Sequence, residues 1–267
     1  VLGDWLCSYS PRFQNSEITK IKKPKVLVAG TGTGQQSIRS ALTLSGSNVD
    51  AIDLSKSSLA YALRKSKELG LKNINFFQAD LFEIDFLKKK YDLIQCSGVL
   101  HHTSDPLAGL KSIKSKLLSH GLIQLGLYSR LARFDLNKVR NYIAKNAISP
   151  SKDEMLDFRR ELINDKSFQN QTQVLASWGD FFTTSMFRDL CFHEHEVQYD
   201  CQDLQKLIDE AGLEFVGMML SNEQKKQYYK ITGRNAEDAD LNDWHEFELN
   251  NTRFFAEMYN FFLRPLS

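Results

Sequence analysis

The chain has 267 residues, of which 42% are hydrophobic and 25% charged, with a formal net charge of +1. This composition is ordinary for a globular domain, and it lacks the basic surplus that nucleic-acid-binding proteins carry. No apolar run approaches the ~18 residues of a membrane helix, and the N-terminus has no signal-peptide pattern. The four cysteines form no CxxC pair, which favours a reducing compartment. We therefore expect a cytoplasmic protein whose partners are neither nucleic acid nor membrane.

The region from residue 25 to residue 128 alternates apolar runs with helical patterns. In chain order it predicts strand 25–29, helix 35–45, strand 48–52, helix 56–69, strand 73–79, a short helical segment 82–89, strand 91–96, a helix from 105 to about 118 and strand 121–128. Repetition of this kind predicts a parallel sheet covered by helices on both faces.

The remaining sequence divides into a cap and a closing part. We predict an inserted helical cap, helix 203–211, strand 213–220, a candidate last strand around Tyr228, Tyr229 and Ile231, and two final helices. One final helix would carry Leu241, Trp244 and Phe247, and the other Phe254, Phe255, Met258, Tyr259 and Phe262 at helical spacing. The resulting organisation is an approach segment at 1–24, a core at 25–129 and 201–232, a cap at 130–200 and C-terminal helices at 233–267. The first residue is Val, which suggests a fragment of a longer protein.

A glycine-rich turn follows the first predicted strand. Residues 26–29 are apolar and run into Gly30, Gly32 and Gly34, with Thr31 between the first two. Only glycine lets a backbone pass close to a ligand without steric cost, and the helix after the turn points free amide hydrogens at the loop. A dinucleotide fingerprint reads G-x-G-x-x-G/A, whereas the third glycine here comes one residue early. The loop therefore predicts a nucleoside-type cofactor.

Acidic residues close the next two predicted strands. Asp53, followed by Leu54, ends the second strand, and Asp80, followed by Leu81, ends the third. Ligands of parallel sheets bind at these carboxyl ends. The Asp53 carboxylate can accept from both hydroxyls of a ribose, and that of Asp80 from the amine of an adenine with Leu54 and Leu81 against the ring. For both aspartates, capping of a following helix is the alternative.

The motifs together resemble a known family. The segments VLVAGTGTG, AIDLS, QADLF and YDLIQCSGVLHHTSDPLAGL resemble class I S-adenosylmethionine-dependent methyltransferases that act on small molecules. GLYSRLAR, FFTTSMFRDLCFH and WHEFELNNTRFFAEMYNFF extend the resemblance to the methyltransferase module behind tetratricopeptide repeats in bacterial proteins, over most of 25–263. The resemblance implies an α/β Rossmann-like sheet, mostly parallel, with an inserted helical cap and C-terminal helices. It implies S-adenosylmethionine as cofactor and S-adenosylhomocysteine as product.

One position departs from the family pattern. Class I enzymes usually carry an acidic residue two positions before the first glycine, where it helps to hold the methionine end of the cofactor. Val28 occupies that position here. The resemblance then implies that the amino group meets loop carbonyls and the backbone near Gly30 and Gly98.

Methyl transfer requires alignment of the nucleophile with the methyl group, and a base only where the nucleophile is protonated. The candidates are His101 and His102 after the fourth strand, Tyr128 at the end of the fifth and His193 in the cap. A structural role for the paired histidines stays open. We expect a small-molecule or peptide-like acceptor.

Three alternatives stay open. Asp189, His193, His195 and Glu196 form a polar cluster that could ligate a divalent metal, but the spacing matches no strong signature and we predict no metal site. A nicotinamide-dependent oxidoreductase is disfavoured by the glycine spacing. A non-catalytic nucleoside-binding scaffold is made credible by Val28.

Overall fold

The computed structural model describes residues 1–14, 16–193 and 196–266. The helices of this described part are α1 (Leu2–Tyr9), α2 (Gln35–Thr43), α3 (Lys56–Glu68), α4 (Pro106–Ser115), α5 (Phe134–Lys145), α6 (Lys152–Asn164), α7 (Gln169–Ala176), α8 (Thr184–Phe192), α9 (Cys201–Glu210), α10 (Asn222–Thr232) and α11 (Leu241–Asn250). The strands are β1 (Lys25–Ala29), β2 (Asn48–Asp53), β3 (Ile74–Gln78), β4 (Tyr91–Ser97), β5 (Leu117–Tyr128), β6 (Leu213–Met218) and β7 (Met258–Pro265).

All seven strands form one sheet in the order β3-β2-β1-β4-β5-β7-β6. The first five strands of the chain are parallel, while β7 runs antiparallel to both β5 and β6. Strands β1 and β4 are buried on both faces, which explains the apolar run at 26–29 in β1, while β4 also buries the polar Asp92 and Gln95. The prediction of a mostly parallel, Rossmann-like sheet flanked by helices is confirmed.

Apolar side chains cover the sheet on both faces. On one face, side chains of α4, α9 and α11 pack into the largest cluster. On the other face, α1 and α2 pack with Val26, Val28 and Phe262. The helices α5 to α8 have a separate apolar cluster of their own, which includes Phe158, Leu162 and Trp178. This helical region therefore has its own internal packing between β5 and α9.

Main-chain hydrogen bonds attach the helical region to the ends of the strands. The Val197 N–H donates to the His101 carbonyl at 2.8 Å, and the Tyr199 N–H donates to the Tyr128 carbonyl at 3.0 Å. The Arg130 N–H donates to the Tyr199 carbonyl at 2.8 Å. The chain therefore leaves the core and returns to it at the same place, next to the carboxyl ends of β4 and β5.

The second C-terminal helix was predicted wrongly. Residues 258–265 form β7, whose Phe261 and Phe262 are buried on opposite faces of the sheet. The aromatic residues fit helical spacing because a turn at 254–257 precedes the strand. The described residues of 233–267 therefore form one α-helix, α11, and one strand, β7, which lies between β5 and β6 and is stabilised by pairing with both.

Three smaller predictions also differ from the structure. The candidate strand around Tyr228 is α10, which begins at a Ser221–Gln224 capping box and ends at Gly233 with φ of +70°. Residues 82–89 form turns instead of a helix. Strand β5 begins at Leu117, earlier than predicted, and α4 ends at Ser115. Among the described residues, no helix combines the length and apolar character that crossing a membrane requires.

Candidate functional site

A cleft of about 400 Å³ lies at the carboxyl ends of β1, β2, β3 and β4. The sheet order brings these ends together because β2, β1 and β4 are neighbours. Predicted cofactor residues that line the cleft are Gly30, Gly32, Asp53, Leu54, Asp80, Leu81 and Gly98. His102 lines the same cleft, as do Phe82 and Val99, which were not predicted as site residues.

Open space lies above two of the lining glycines. A Cβ built on Gly32 or Gly98 would meet no atom within 4 Å, and both residues have positive φ, at +53° and +76°. Gly30 differs, because a Cβ there would lie 2.2 Å from a Val99 methyl carbon. The loop thus needs glycine at Gly30 for packing, while Gly32 and Gly98 leave open space beside the main chain.

The two aspartates hold the walls of this cleft in place. The Asp53 carboxylate accepts from the Gly32 N–H at 2.7 Å and from the Ser55 N–H at 2.8 Å. The Asp80 carboxylate accepts from the Phe82 N–H at 2.9 Å. Ser55 is the N-cap of α3 and no helix follows Asp80, so the capping alternative applies to neither. Each carboxylate oxygen retains a lone pair that can face a ligand.

Two other loop residues have different surroundings. Thr31 is buried, donates from its hydroxyl to Ser37 at 2.8 Å and lines a second cleft that shares Gly30 and Gly32. Gly34 lines neither cleft. A Cβ on Gly34 would lie 2.6 Å from the Cβ of Ala62, so this glycine allows α2 to begin close to α3.

The four catalytic candidates come together beside the first cleft. The His101 ring stacks on Tyr128 with 3.7 Å between ring centroids, and His102 lies 4.4 Å from His101. His193, at the end of α8, packs on His102 at 4.2 Å. Residues from β5, from the turn after β4 and from the helical region therefore meet at one place, although 92 positions separate His101 and His193.

A buried ion-pair network with Arg133 at its centre supports this cluster. The Arg133 guanidinium is 1% exposed and lies 3.6 Å from the centroid of the Tyr128 ring. It donates to both carboxylate oxygens of Glu196, at 3.0 and 2.9 Å, and to Glu257 at 3.2 Å. Arg140 donates to Glu196 as well, at 2.8 Å. No local pattern marks Arg133, since its partners are 63 and 124 residues away.

Burial sets the protonation states of the cluster. Burial, together with the positive charge that His102, Arg133 and His193 can carry nearby, lowers the pKa of His101 to about 2. Neither ring nitrogen of His101 has a hydrogen-bond partner in the described part of the chain. Burial raises the pKa of Tyr128 to about 12. At neutral pH, His101 is therefore uncharged and Tyr128 keeps its proton.

The polar cluster considered as a metal site has other partners in the structure. Glu196 is committed to Arg133 and Arg140, and although burial opposes the effect, these two guanidinium groups hold its pKa below the ordinary value. Asp189 is exposed on α8. His195 lies outside the described residues. Within the described ranges, no three His, Cys, Asp or Glu side chains are grouped in a way that could hold a metal ion.

The profile of a protein family described as "Methyltransferase domain" matches residues 21–234. The chain belongs to this methyltransferase domain family. The matched range of this methyltransferase domain contains the glycine loop, both aspartates and all four catalytic candidates.

The chain matches parts of several known proteins. An uncharacterized protein of Synechococcus sp. is 26% identical over 247 residues, which cover 89% of this chain and 59% of that protein. A ubiquinone biosynthesis O-methyltransferase of Actinobacillus pleuropneumoniae is 32% identical over 113 residues, covering 40% and 46%. PKMT2 from Rickettsia typhi, solved in complex with AdoHcy, superimposes with a TM-score of 0.67 at 15% identity, covering 91% of this chain and 49% of that one. The chain therefore spans about half the length of the relatives it matches.

Proposed function

We propose that this chain transfers a methyl group from S-adenosylmethionine to a small-molecule or peptide-like acceptor. The observation that carries the proposal is the cleft at the carboxyl ends of β1 to β4, where open space above Gly32 and Gly98 meets the carboxylates of Asp53 and Asp80. A nucleoside fits such a site because it presents hydroxyls and an amine to carboxylates and a flat ring to apolar walls.

The lining residues divide the nucleoside between them. Asp53 accepts from the ribose hydroxyls while it holds the Gly32 N–H, so one side chain positions both the loop and the sugar. Asp80 accepts from the adenine amine. Leu54, which is exposed beside the cleft, and the buried Leu81 cover the two faces of the ring.

The cofactor supplies a methyl group on a sulfonium, an already activated leaving group, so the remaining task of the protein is alignment. His102 lines the cleft and contacts His193 from the helical region, which places two imidazoles where an acceptor approaches. Tyr128 keeps its proton and donates a hydrogen bond to the acceptor. His101 remains neutral behind Tyr128 and positions its ring, while His102, which lines the cleft, takes up the proton where the acceptor must lose one.

The finer features of the proposal rest on resemblance. The helical region 130–200 is the cap that contacts the acceptor, and 25–129 with 201–232, completed by β7, is the core that holds the cofactor. The motifs after residue 126 are similar to the methyltransferase module behind bacterial tetratricopeptide repeats, and a cytoplasmic location fits such a module. Nucleic acid is disfavoured as a partner by the charge balance.

Calorimetric titration of the purified chain tests the cofactor assignment. We expect S-adenosylhomocysteine to bind and NADH not to bind. Incubation with methyl-labelled S-adenosylmethionine and panels of small molecules and peptides then tests transfer. Binding of NADH without S-adenosylhomocysteine would replace the proposal with an oxidoreductase. Binding of S-adenosylhomocysteine without transfer to any acceptor of a broad panel would favour a scaffold.

A further inference from the structure

A second cleft, of about 420 Å³, lies on the other side of the glycine loop. It shares Gly30 and Gly32 with the first cleft, so the two adjoin at the glycine loop. Helix α1 contributes Trp5 and Tyr9 to its lining, α2 contributes Arg39 and its neighbours, and the strands β4, β5 and β7 contribute the remaining polar side chains. A ligand longer than a nucleoside can therefore extend from the first cleft into the second.

The floor of the second cleft is polar but uncharged. Gln95 and Gln124, on neighbouring strands, are both at least nine-tenths buried, and the Gln95 amide donates to the Gln124 oxygen at 2.7 Å. Beside them, the Ser97 hydroxyl donates to the Asn260 side-chain oxygen at 3.3 Å. Val28 is fully buried next to Gln95 in the sheet. The side-chain oxygens here can accept hydrogen bonds from an ammonium group, although the sheet offers no carboxylate at Val28.

The rim of the second cleft carries one positive charge. Arg39, on α2, is the one charged side chain among the described lining residues. Its guanidinium forms no ion pair with any described carboxylate. The first turn of α2 lies beside it, and its N-cap, Gly34, provides no capping side chain. A guanidinium and free amide hydrogens together favour a carboxylate.

We propose that the second cleft binds the amino-acid end of the cofactor, with Arg39 on its carboxylate and the Ser97 and Asn260 oxygens on its ammonium group. The uncharged Ser97 and Asn260 side chains take the place of the acidic residue that class I enzymes usually carry at the position of Val28. The inference rests on the proposed function, because it presupposes a nucleoside in the first cleft. It adds that recognition of the amino acid depends on α2 and β7, which no motif at the glycine loop would indicate.

Three ligands separate the two ends of the site. S-adenosylhomocysteine has the whole amino acid, 5′-methylthioadenosine lacks it, and decarboxylated S-adenosylmethionine keeps the amine alone. For Arg39→Ala we expect S-adenosylhomocysteine to bind roughly tenfold or more weakly, since a hydrogen bond to a charged group is lost. The two ligands without a carboxylate should bind as they do to the unaltered chain. Arg39→Lys should restore part of the affinity.

The ammonium contacts have their own variant. Ser97→Ala should weaken S-adenosylhomocysteine and the decarboxylated cofactor together and leave 5′-methylthioadenosine unchanged. Arg64→Ala is the matched control, because this exposed arginine on the neighbouring helix α3 pairs with Glu68 and lines neither cleft. Each titration is accompanied by a melting curve to verify folding.

The outcomes distinguish the two proposals. If the unaltered chain binds neither S-adenosylhomocysteine nor 5′-methylthioadenosine, the proposed function fails. If it binds both, but Arg39→Ala weakens them equally or weakens neither, the assignment of the second cleft is overturned and the cofactor assignment stands.

Discussion

Asp53 shows how one side chain can serve the fold and the ligand together. Its carboxylate accepts from the Gly32 N–H, in the loop after β1, and from the Ser55 N–H, in the turn after β2. The glycine loop therefore has its shape before any ligand arrives. This arrangement reduces the ordering that binding would otherwise require, and preorganisation of this kind increases affinity.

We expect Asp53→Ala to weaken S-adenosylhomocysteine binding by about 1–3 kcal/mol, the range for losing a hydrogen bond to a charged group. Asp53→Asn should cost less, because one oxygen remains to accept from Gly32. Calorimetry measures both variants, and an affinity equal to that of the unaltered chain in both would exclude Asp53 from the ribose site.

His101 links the stability of the chain to pH. In the folded state burial keeps its pKa near 2, whereas an unfolded histidine titrates near 6.5. The unfolded chain therefore binds an extra proton below about pH 6.5, and stability falls as the pH is lowered. Lowering the pH from 7 to 5 should reduce the free energy of unfolding by about 2 kcal/mol through this single histidine.

In His101→Phe, which keeps a ring against Tyr128, that part of the pH dependence should disappear. Urea unfolding at pH 7 and pH 5 measures it. An unchanged difference between the two pH values would show that His101 is accessible to protons in the folded chain. His101→Gln, which lacks the ring, separates the effect of titration from that of stacking.

At the scale of elements, the Arg133–Glu196 pair joins the start of α5 to the segment that returns from the helical region. Both side chains are at most 3% exposed, and Glu257, next to β7, joins the same guanidinium. The buried Arg133 guanidinium thus holds together three parts of the chain that are distant in sequence. Breaking such a pair leaves an uncompensated charge without water.

Glu196→Gln should lower the free energy of unfolding by about 3 kcal/mol, the low end of the cost of breaking a buried ion pair, because Glu257 stays on Arg133. Asp157→Asn is the control in the same region, because its pair with Arg160 is exposed and should contribute less than about 1 kcal/mol. The pKa of Glu196 is lower in the folded chain than in the unfolded chain. The stabilisation by its ionised carboxylate is therefore complete at pH values above the unfolded pKa and is lost as the pH falls through the folded pKa. Equal effects of the two substitutions would contradict the buried role.

The elements that sequence could predict are those whose pattern is local. Strands β1 and β4 are buried on both faces, so their sequences are rich in apolar residues and their predicted bounds are nearly right. Strand β7 was assigned as a helix because its residues satisfy two periodicities, and only the partners β5 and β6 decide between them. The glycine loop and the aspartates that end the predicted strands likewise indicated where the first cleft lies. Arg133 and Glu257 could not be predicted, since their contacts exist only in the folded chain.

At the scale of the molecule, the segment before β1 packs across the sheet. Phe262 on β7 is 1% exposed and contacts the rings of Trp5, Tyr9 and Phe13 edge to face. Two of these rings, those of Trp5 and Tyr9, also line the second cleft. The segment before β1 and strand β7 therefore stabilise each other, and both lie next to the proposed amino-acid site.

Phe262→Ala should destabilise the chain by about 3–5 kcal/mol, because it removes a buried ring and leaves a cavity. The matched control is Phe182→Ala, whose side chain is 64% exposed and whose loss should change stability by no more than about 0.5 kcal/mol. Chemical denaturation measures both. Limited proteolysis should also show earlier cleavage within residues 1–24 of Phe262→Ala; intact resistance there would mean that the segment is held by other contacts.

The position of β7 in the sheet has a consequence for biosynthesis. During translation, β5 and β6 are synthesised well before β7, the strand that lies between them in the sheet. Until then, each leaves a row of free main-chain amides and carbonyls, a surface that can pair with other nascent chains. Translation that stalls before residue 258 should therefore produce an aggregation-prone polypeptide, and chaperone demand should fall abruptly once that strand emerges.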